Sequence, residues 1–256
     1  MSETLVIQSY RTENIPAWIN SCLGSVRAWT SLRGWDYRFF GNEIFERVPA
    51  WYRARANGCL PVMTDLGRLI LVREALGSGA KTVFWIDADI FIFDPDELRV
   101  EIDAEYAFSR ELWVQPSARG FKIYRNVHNA FCMFRQGNPF LDFYIHACLS
   151  IMQRVDGGVP NQIVGTKLLT AIHNIIGFPL MEQVGMASPL VLENLSAGVG
   201  SALTRLVAET PAVLRAVNLC GSLVGQKVDG VSIDDDLMAR TVEHLYKEGP
   251  STFRKR

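Results

Sequence analysis

Apolar positions fall in two patterns along the chain: short continuous runs and stripes at helical spacing. Leu5-Val6-Ile7 is a short apolar run that stops at Gln8-Ser9-Tyr10, and it predicts a buried first strand. Pro16 stands where a helix tolerates proline, in the first turn, and 17–29 follows as a helix. Residues 36–40, Asp-Tyr-Arg-Phe-Phe, predict a second strand. Leu66, Leu69, Ile70 and Leu76 recur at helical spacing within 63–76, and Gly77-Ser78-Gly79 closes that helix. Residues 82–86, Thr-Val-Phe-Trp-Ile, are too continuously apolar for a strand with one wet face, so both faces should be covered, as in a parallel sheet. The order β-α-β-α-β predicts an α/β layered fold.

The second half is less regular. Strands are expected at 106–109 and 129–135, and helices at 139–155 and 165–175. A loop is expected at the small-residue stretch 195–202. A C-terminal helix is expected at 232–248, where Asp234, Asp235 and Asp236 favour the first turn through the helix dipole. The segment 110–120, with Gln115-Pro116-Ser117, reads as a mobile lid, with Trp113 placed to help an acceptor bind. With no repeat and no linker, 1–256 reads as one domain.

Composition narrows the function classes. The chain has 256 residues, 48% hydrophobic and 21% charged, which is globular and argues against disorder. A net charge of −1 leaves no basic footprint for nucleic acid. The one basic cluster, Arg254-Lys255-Arg256, reads as a solvated tail. Five cysteines (Cys22, Cys59, Cys132, Cys148, Cys220) show no short metal spacing, and most have apolar neighbours, as buried free thiols do. That usage fits a reducing compartment. No leader is visible at Met1-Ser2-Glu3-Thr4, and no stretch approaches the roughly 18 apolar residues of a membrane span. The expected setting is cytoplasmic, with peripheral membrane contact left open.

The sharpest chemical feature is Asp87-Ala88-Asp89, set between Phe84-Trp85-Ile86 and Ile90-Phe91-Ile92. Two acids one residue apart carry little weight alone. Within an apolar run, however, an unpaired charge costs several kcal/mol, roughly, if it is buried. A hard divalent cation, Mg²⁺ or Mn²⁺, is the natural partner, held by one or two carboxylates and substrate phosphate oxygens. At the carboxyl end of a sheet strand the pair would stand where open α/β sheets bind ligands. The plain alternative is a strand-end turn with solvated acids. Asp65 and Arg68 share one helix face, and taken alone they read as a surface ion pair. Tyr10 ends the first strand, where it reads as core or rim, or as a surface on which a base stacks. His128, His146, His173 and His244 read as packing or surface residues.

In sequence order these pieces resemble the retaining nucleotide-sugar glycosyltransferases of the GT-A fold that carry a DXD sugar-binding region. That family includes the capsular-polysaccharide and mannosyl-initiating transferases, with the large glucosylating bacterial toxins as more distant relatives. The matching elements are Gln8-Ser9-Tyr10 with Ile15-Pro16, then Asp65-Leu66-Gly67-Arg68, then Asp87-Ala88-Asp89. Asn129-Ala130, Asn138-Pro139-Phe140 and 165–170 (Gly-Thr-Lys-Leu-Leu-Thr) follow. The last element, 218–223, departs from the pattern: Asn218 stands for the family's metal-binding histidine and Leu223 for its tryptophan.

The resemblance implies a Rossmann-like mixed sheet flanked by helices. Residues to about 110 would form the nucleotide-sugar half, and 111–256 the acceptor half. It implies a UDP- or GDP-linked sugar as donor and a glycan, lipid-linked or protein acceptor. Asp87, Asp89, Asp65 and Arg68 would form the catalytic set. Gln8, Ser9, Tyr10 and Asn129 would join Asp65, Arg68 and Asp87 around the donor. Asp89, Asp87, Asn218 and Ser222 would hold Mn²⁺ or Mg²⁺. Two rival readings remain: a sugar-nucleotide-binding scaffold that has lost turnover, and a haloacid-dehalogenase-type phosphatase using Lys227 and Asp235-Asp236. Phe91 stands against the phosphatase, because that position should be small and hydroxylated.

Overall fold

The computed structural model describes residues 2–100 and 102–254. In chain order the elements are β1 (Thr4–Ser9), α1 (Ala17–Leu32), β2 (Asp36–Phe40), α2 (Ala50–Ala56), α3 (Leu60–Gly77), β3 (Thr82–Ile86) and β4 (Ile90–Ile92). Then come β5 (Tyr106–Ser117), β6 (Gly120–Arg135), α4 (Phe140–Arg154), α5 (Thr166–Ile176), β7 (Leu180–Met181) and β8 (Val184–Met186). The chain ends with α6 (Pro189–Ala197), α7 (Ser201–Glu209), β9 (Ala216–Asn218), β10 (Lys227–Val228), β11 (Val231–Ser232) and α8 (Asp235–Thr252).

The main sheet has the order β2-β1-β3-β6-β5-β7. β1 runs parallel to both β2 and β3, whereas β6 is antiparallel to β3 and β5. The architecture is therefore α/β, with a mixed sheet and helices on both faces, as expected. Alternation along the strands shows the two covered faces directly. Leu5, Ile7, Val83 and Trp85 enter one core with α3 and α4, while Val6, Phe84 and Ile86 enter another with Val26 and Trp29 of α1. Trp29 meets Phe84 edge-on, with ring centroids 6.1 Å apart, and Trp35 stacks on Phe84 at 5.2 Å. A smaller sheet, β4-β9-β8, continues below the acids.

Three expectations for the second half are corrected. The 110–120 segment is no lid: it is the outer part of β5 and the turn into β6, paired from Arg110↔Val127 to Ser117↔Gly120. Leu112 and Val114 are buried among α6 and α7, and Ser188 Oγ donates to the Val114 carbonyl at 2.7 Å, so this arm is clamped. The 195–202 stretch is not a loop throughout. α6 runs through Ala197, Gly198 takes the left-handed conformation that closes it, and α7 starts at Ser201. Asn194 Oδ1 accepts from the Ala202 and Leu203 N–H groups at 3.0 and 3.2 Å, satisfying donors that the start of a helix leaves open. The C-terminal helix starts at Asp235, because Ser232 lies in the β10–β11 hairpin. Asp234 Oδ1 caps the helix by accepting from Leu237 N–H at 2.8 Å.

Cys22, Cys132, Cys148 and Cys220 are buried free thiols, and Cys59 is partly exposed. Among the described residues no helix is long and apolar enough to cross a membrane. In the basic tail, Lys255 and Arg256 lie outside the described residues.

Candidate active site

β1 and β3 run side by side and end at the same sheet edge, so Ser9-Tyr10 and Asp87-Ala88-Asp89 emerge together. A cleft of about 760 Å³ opens there. Its size lies inside the range of about 300–1,000 Å³ typical of small-molecule sites. Tyr10 is half-buried in its wall, with the Arg11 guanidinium 5.5 Å from the ring centroid. Ser9 also lines it, and Ser9 Oγ donates to the Gly41 carbonyl at 3.4 Å. Gln8 does not reach the cleft. It is fully buried, donates from Nε2 to the Asp87 carbonyl at 3.2 Å, and accepts from Tyr37 Oη at 3.0 Å. Gln8 therefore braces the acid turn from behind.

The Asp65–Arg68 pair is no surface ion pair: the two residues are 5% and 4% exposed. α3 packs back across the sheet, which brings its first half under the acids. Arg68 Nη2 lies 3.2 Å from Asp65 Oδ1, and Nη1 lies 3.3 Å from Asp87 Oδ1. Nη1 also donates to the Asn129 carbonyl at 2.7 Å, and the guanidinium lies 5.3 Å from the Trp85 ring centroid. Asn129 Nδ2 donates to Asp65 Oδ1 at 2.8 Å, and Trp85 Nε1 donates to Asp87 Oδ1 at 2.6 Å. Arg68 Nε has no partner among the described residues. One guanidinium thus ties together α3, the β3 terminus and β6.

Burial sets the proton affinities here. It pushes Asp65 up to about 6, against the pull of Arg68 and the Asn129 hydrogen bond. It also raises Asp87, opposed by Arg68 and by the Trp85 hydrogen bond. Arg68 stays charged: burial works against it, but the Asp87 and Asp65 carboxylates outweigh that and raise its pKa.

Asp89 differs from the other acids. Among the described residues no Lys, Arg or His lies within ion-pair distance of it. It is held instead by Asn218 Nδ2 at 2.9 Å on Oδ1 and by Gly221 N–H at 2.7 Å on Oδ2. Burial and the neighbouring Asp87 charge push it up to about 6. Cys220 takes the left-handed conformation, φ 54°, which turns the Gly221 N–H toward Asp89. Asn218 Oδ1 accepts from Cys220 N–H at 2.6 Å, and that obligatory backbone donor fixes which way the amide points. Asn218 therefore presents nitrogen, not oxygen, to Asp89. As seated it orients the carboxylate. Ser222 lines the cleft beside it.

The donor set nevertheless fits a hard divalent ion. Asp89 is a carboxylate without a counter-charge, and Asp87 stands two residues away. Mg²⁺ and Mn²⁺ need only one or two such carboxylates when phosphate oxygens and water complete the shell. Lys227 is exposed on the β10–β11 hairpin, and Asp235 Oδ1 accepts from Trp18 Nε1 at 2.7 Å. Neither of these residues lines the cleft, and neither does Asp236.

Two cleft residues carried no signal in the sequence: Glu111 lies on β5 and His128 on β6, while Trp113, singled out from the sequence, lines the cleft from β5. Gly165 abuts the site closely enough that a Cβ there would stand 2.7 Å from Asp65 Oδ2.

No protein-family model matches the chain, and no curated protein matches it. Among the solved structures similar to it are two of viral origin. One is a glycosyltransferase involved in the glycosylation of the major capsid of PBCV-1, at 10% identity and TM-score 0.46, over 94% of this chain and 98% of that one. The other is A197 from STIV, at 9% identity and TM-score 0.27, over 66% of this chain and 78% of that one.

Proposed function

We propose that the protein is a metal-dependent glycosyltransferase of the GT-A type. It moves a sugar from a UDP- or GDP-linked donor to a hydroxyl acceptor with retention at the anomeric carbon. The observation that carries the reading is the convergence of Asp65, Arg68, Asp87 and Asp89, from separate segments, at the carboxyl ends of β1 and β3 in one cleft. Sequence order, with Gln8-Ser9-Tyr10 first and the 218–223 element last, supports the same reading.

Tyr10 offers an aromatic surface to the base. Asp89 and Asp87 would hold Mn²⁺ or Mg²⁺, which when bound neutralises charge on the diphosphate. Asp65 and Arg68 are rigidly paired and present an acceptor and donors to sugar hydroxyls, a combination suited to a polyol. The bond from C1 to the diphosphate oxygen breaks, and its electron pair leaves with that oxygen. The acceptor hydroxyl oxygen bonds to C1, and its proton passes to the departing diphosphate. No side chain is placed as a dedicated nucleophile, so positioning and electrostatics carry the rate.

The test is release of nucleoside diphosphate from a panel of UDP- and GDP-sugars with and without Mn²⁺. Asp89→Asn should lower metal-dependent release by about 10²-fold or more, the scale seen when one preorganised electrostatic group is removed. Metal-dependent binding with no release over long incubation would favour the scaffold reading. Neither binding nor release from any donor would overturn the assignment.

A further inference from the structure

The β5–β6 hairpin brings into the cleft a further carboxylate that the donor chemistry leaves unused. Glu111 is 3% exposed, yet it lines the cleft and has no cationic partner among the described residues. Asn126 Nδ2 holds Oε1 at 2.6 Å. Burial raises its proton affinity, with only that hydrogen bond opposing.

The strand pattern explains what stands beside it. Glu111 and Trp113 are two residues apart, so they share a face of β5. Ser109 pairs with His128 and Glu111 with Asn126, so His128 sits on that face, diagonal to Glu111. Burial and Arg68 hold His128 down to about 3, so its ring is neutral. His128 Nδ1 accepts from Ala130 N–H at 3.3 Å, which leaves the hydrogen on Nε2. That nitrogen meets no acceptor in hydrogen-bond geometry, although the Arg110 carbonyl lies close by. His128 Nε2 is itself buried, so what the wall offers a ligand is a carboxylate acceptor and an indole surface in one row. A carboxylate accepts from a sugar hydroxyl, and the C–H face of a pyranose packs on an aromatic ring.

We infer that Glu111 and Trp113 form the acceptor subsite, with His128 packed beside them, and that the acceptor presents a saccharide there. Glu111 would accept a hydrogen bond from a second hydroxyl of that saccharide, not from the reacting one, whose proton goes to the diphosphate, with Trp113 under the ring. This inference rests on the glycosyltransferase reading. It names the acceptor class and the residues that select it.

The experiment uses the full chain with Mn²⁺, the donor that it hydrolyses, and methyl α- and β-glycosides of glucose, galactose and mannose as acceptor probes. Wild type should glycosylate at least one of them with a saturable KM. Glu111→Gln keeps shape and the Asn126 contact but loses the charge, and it should raise the KM for that glycoside about tenfold or more. Trp113→Ala should raise it as well. Thermal melts would confirm that both variants are folded, and Trp113→Phe, which keeps an aromatic face, should recover most of the loss. Transfer with an acceptor KM unchanged in both Glu111→Gln and Trp113→Ala would overturn the subsite. So would donor hydrolysis with no transfer to any glycoside. Absence of donor hydrolysis would instead strike the glycosyltransferase reading itself.

Discussion

At the scale of single residues, Arg68 is the most exacting position. Its guanidinium compensates two carboxylates in a buried setting, and each would otherwise lack a counter-charge. Breaking such a network by removing one partner costs about 3–5 kcal/mol, because the partners left behind remain desolvated. Arg68→Met is expected to lose stability on that scale in urea unfolding. Arg68→Lys keeps a charge but lacks the fork that spans Asp65 and Asp87, so it should fall between wild type and Met. Asp65 gives the pH signature. Its folded-state pKa of about 6 lies above its ordinary value of 3.8. Between those values the folded chain keeps a proton that the unfolded chain has lost. The contribution of Asp65 is therefore full below the lower value and is lost as pH rises through the upper one. The stability difference between wild type and Asp65→Asn should shrink as pH rises from 4 to about 6 and then level off. A difference that grows over this window would mean that Arg68 holds Asp65 ionised throughout.

At the scale of elements, the site depends on where α5 begins. Gly165 precedes α5 and packs directly against Asp65. A Cβ there would stand 2.7 Å from Asp65 Oδ2. Gly165→Ala should displace Asp65 or shift α5, costing about 1–3 kcal/mol as overpacking does. The diagnostic is a double-mutant cycle. With Asp65→Ala the obstructing carboxylate is gone, and Gly165→Ala should become nearly neutral, a coupling of order 1 kcal/mol or more.

The same scale shows what the sequence made legible. β2 and β3 were readable to the residue, because their apolar runs are bounded by turn residues. α1, α3 and α4 were readable from stripe and proline position. The outer half of β5 was missed because Gln115-Pro116-Ser117 reads as a turn, while the burial of Leu112 and Val114 depends on α6 and α7, which arrive much later in the chain. α2, α6 and α7 were missed because they are short, and packing holds them where propensity alone does not. At the site, the acids and Asp65-x-x-Arg68 were visible as residue types, but their burial was not, since it needs α3 folded back over β3. Glu111 and His128 gave no local sign. They become cleft residues only through the β5–β6 register.

At the scale of the whole molecule, the division near residue 110 into donor and acceptor halves meets a topological obstacle. β6, from the second half, lies between β3 and β5, and its Phe131, Cys132, Met133 and Phe134 pair with Ile86, Trp85, Phe84 and Val83. Cutting the chain there would bare the β3 edge and strip Arg68 of its Asn129 contacts. The cleft lining also comes from both halves: Asp65, Asp87 and Asp89 belong to the first, and Glu111, Asn129 and Gly221 to the second. The two halves should thus share one cooperative transition, whatever separate roles they serve. Calorimetry of the full chain is expected to show a single peak. A nucleoside diphosphate with Mn²⁺ should move that peak upward as a whole, since a ligand bound only by the native state stabilises everything that unfolds with its site. Asp89→Asn should abolish the metal-dependent part of the shift. Two peaks, only one of which follows the ligand, would show that the halves unfold separately and that the cleft belongs to one of them.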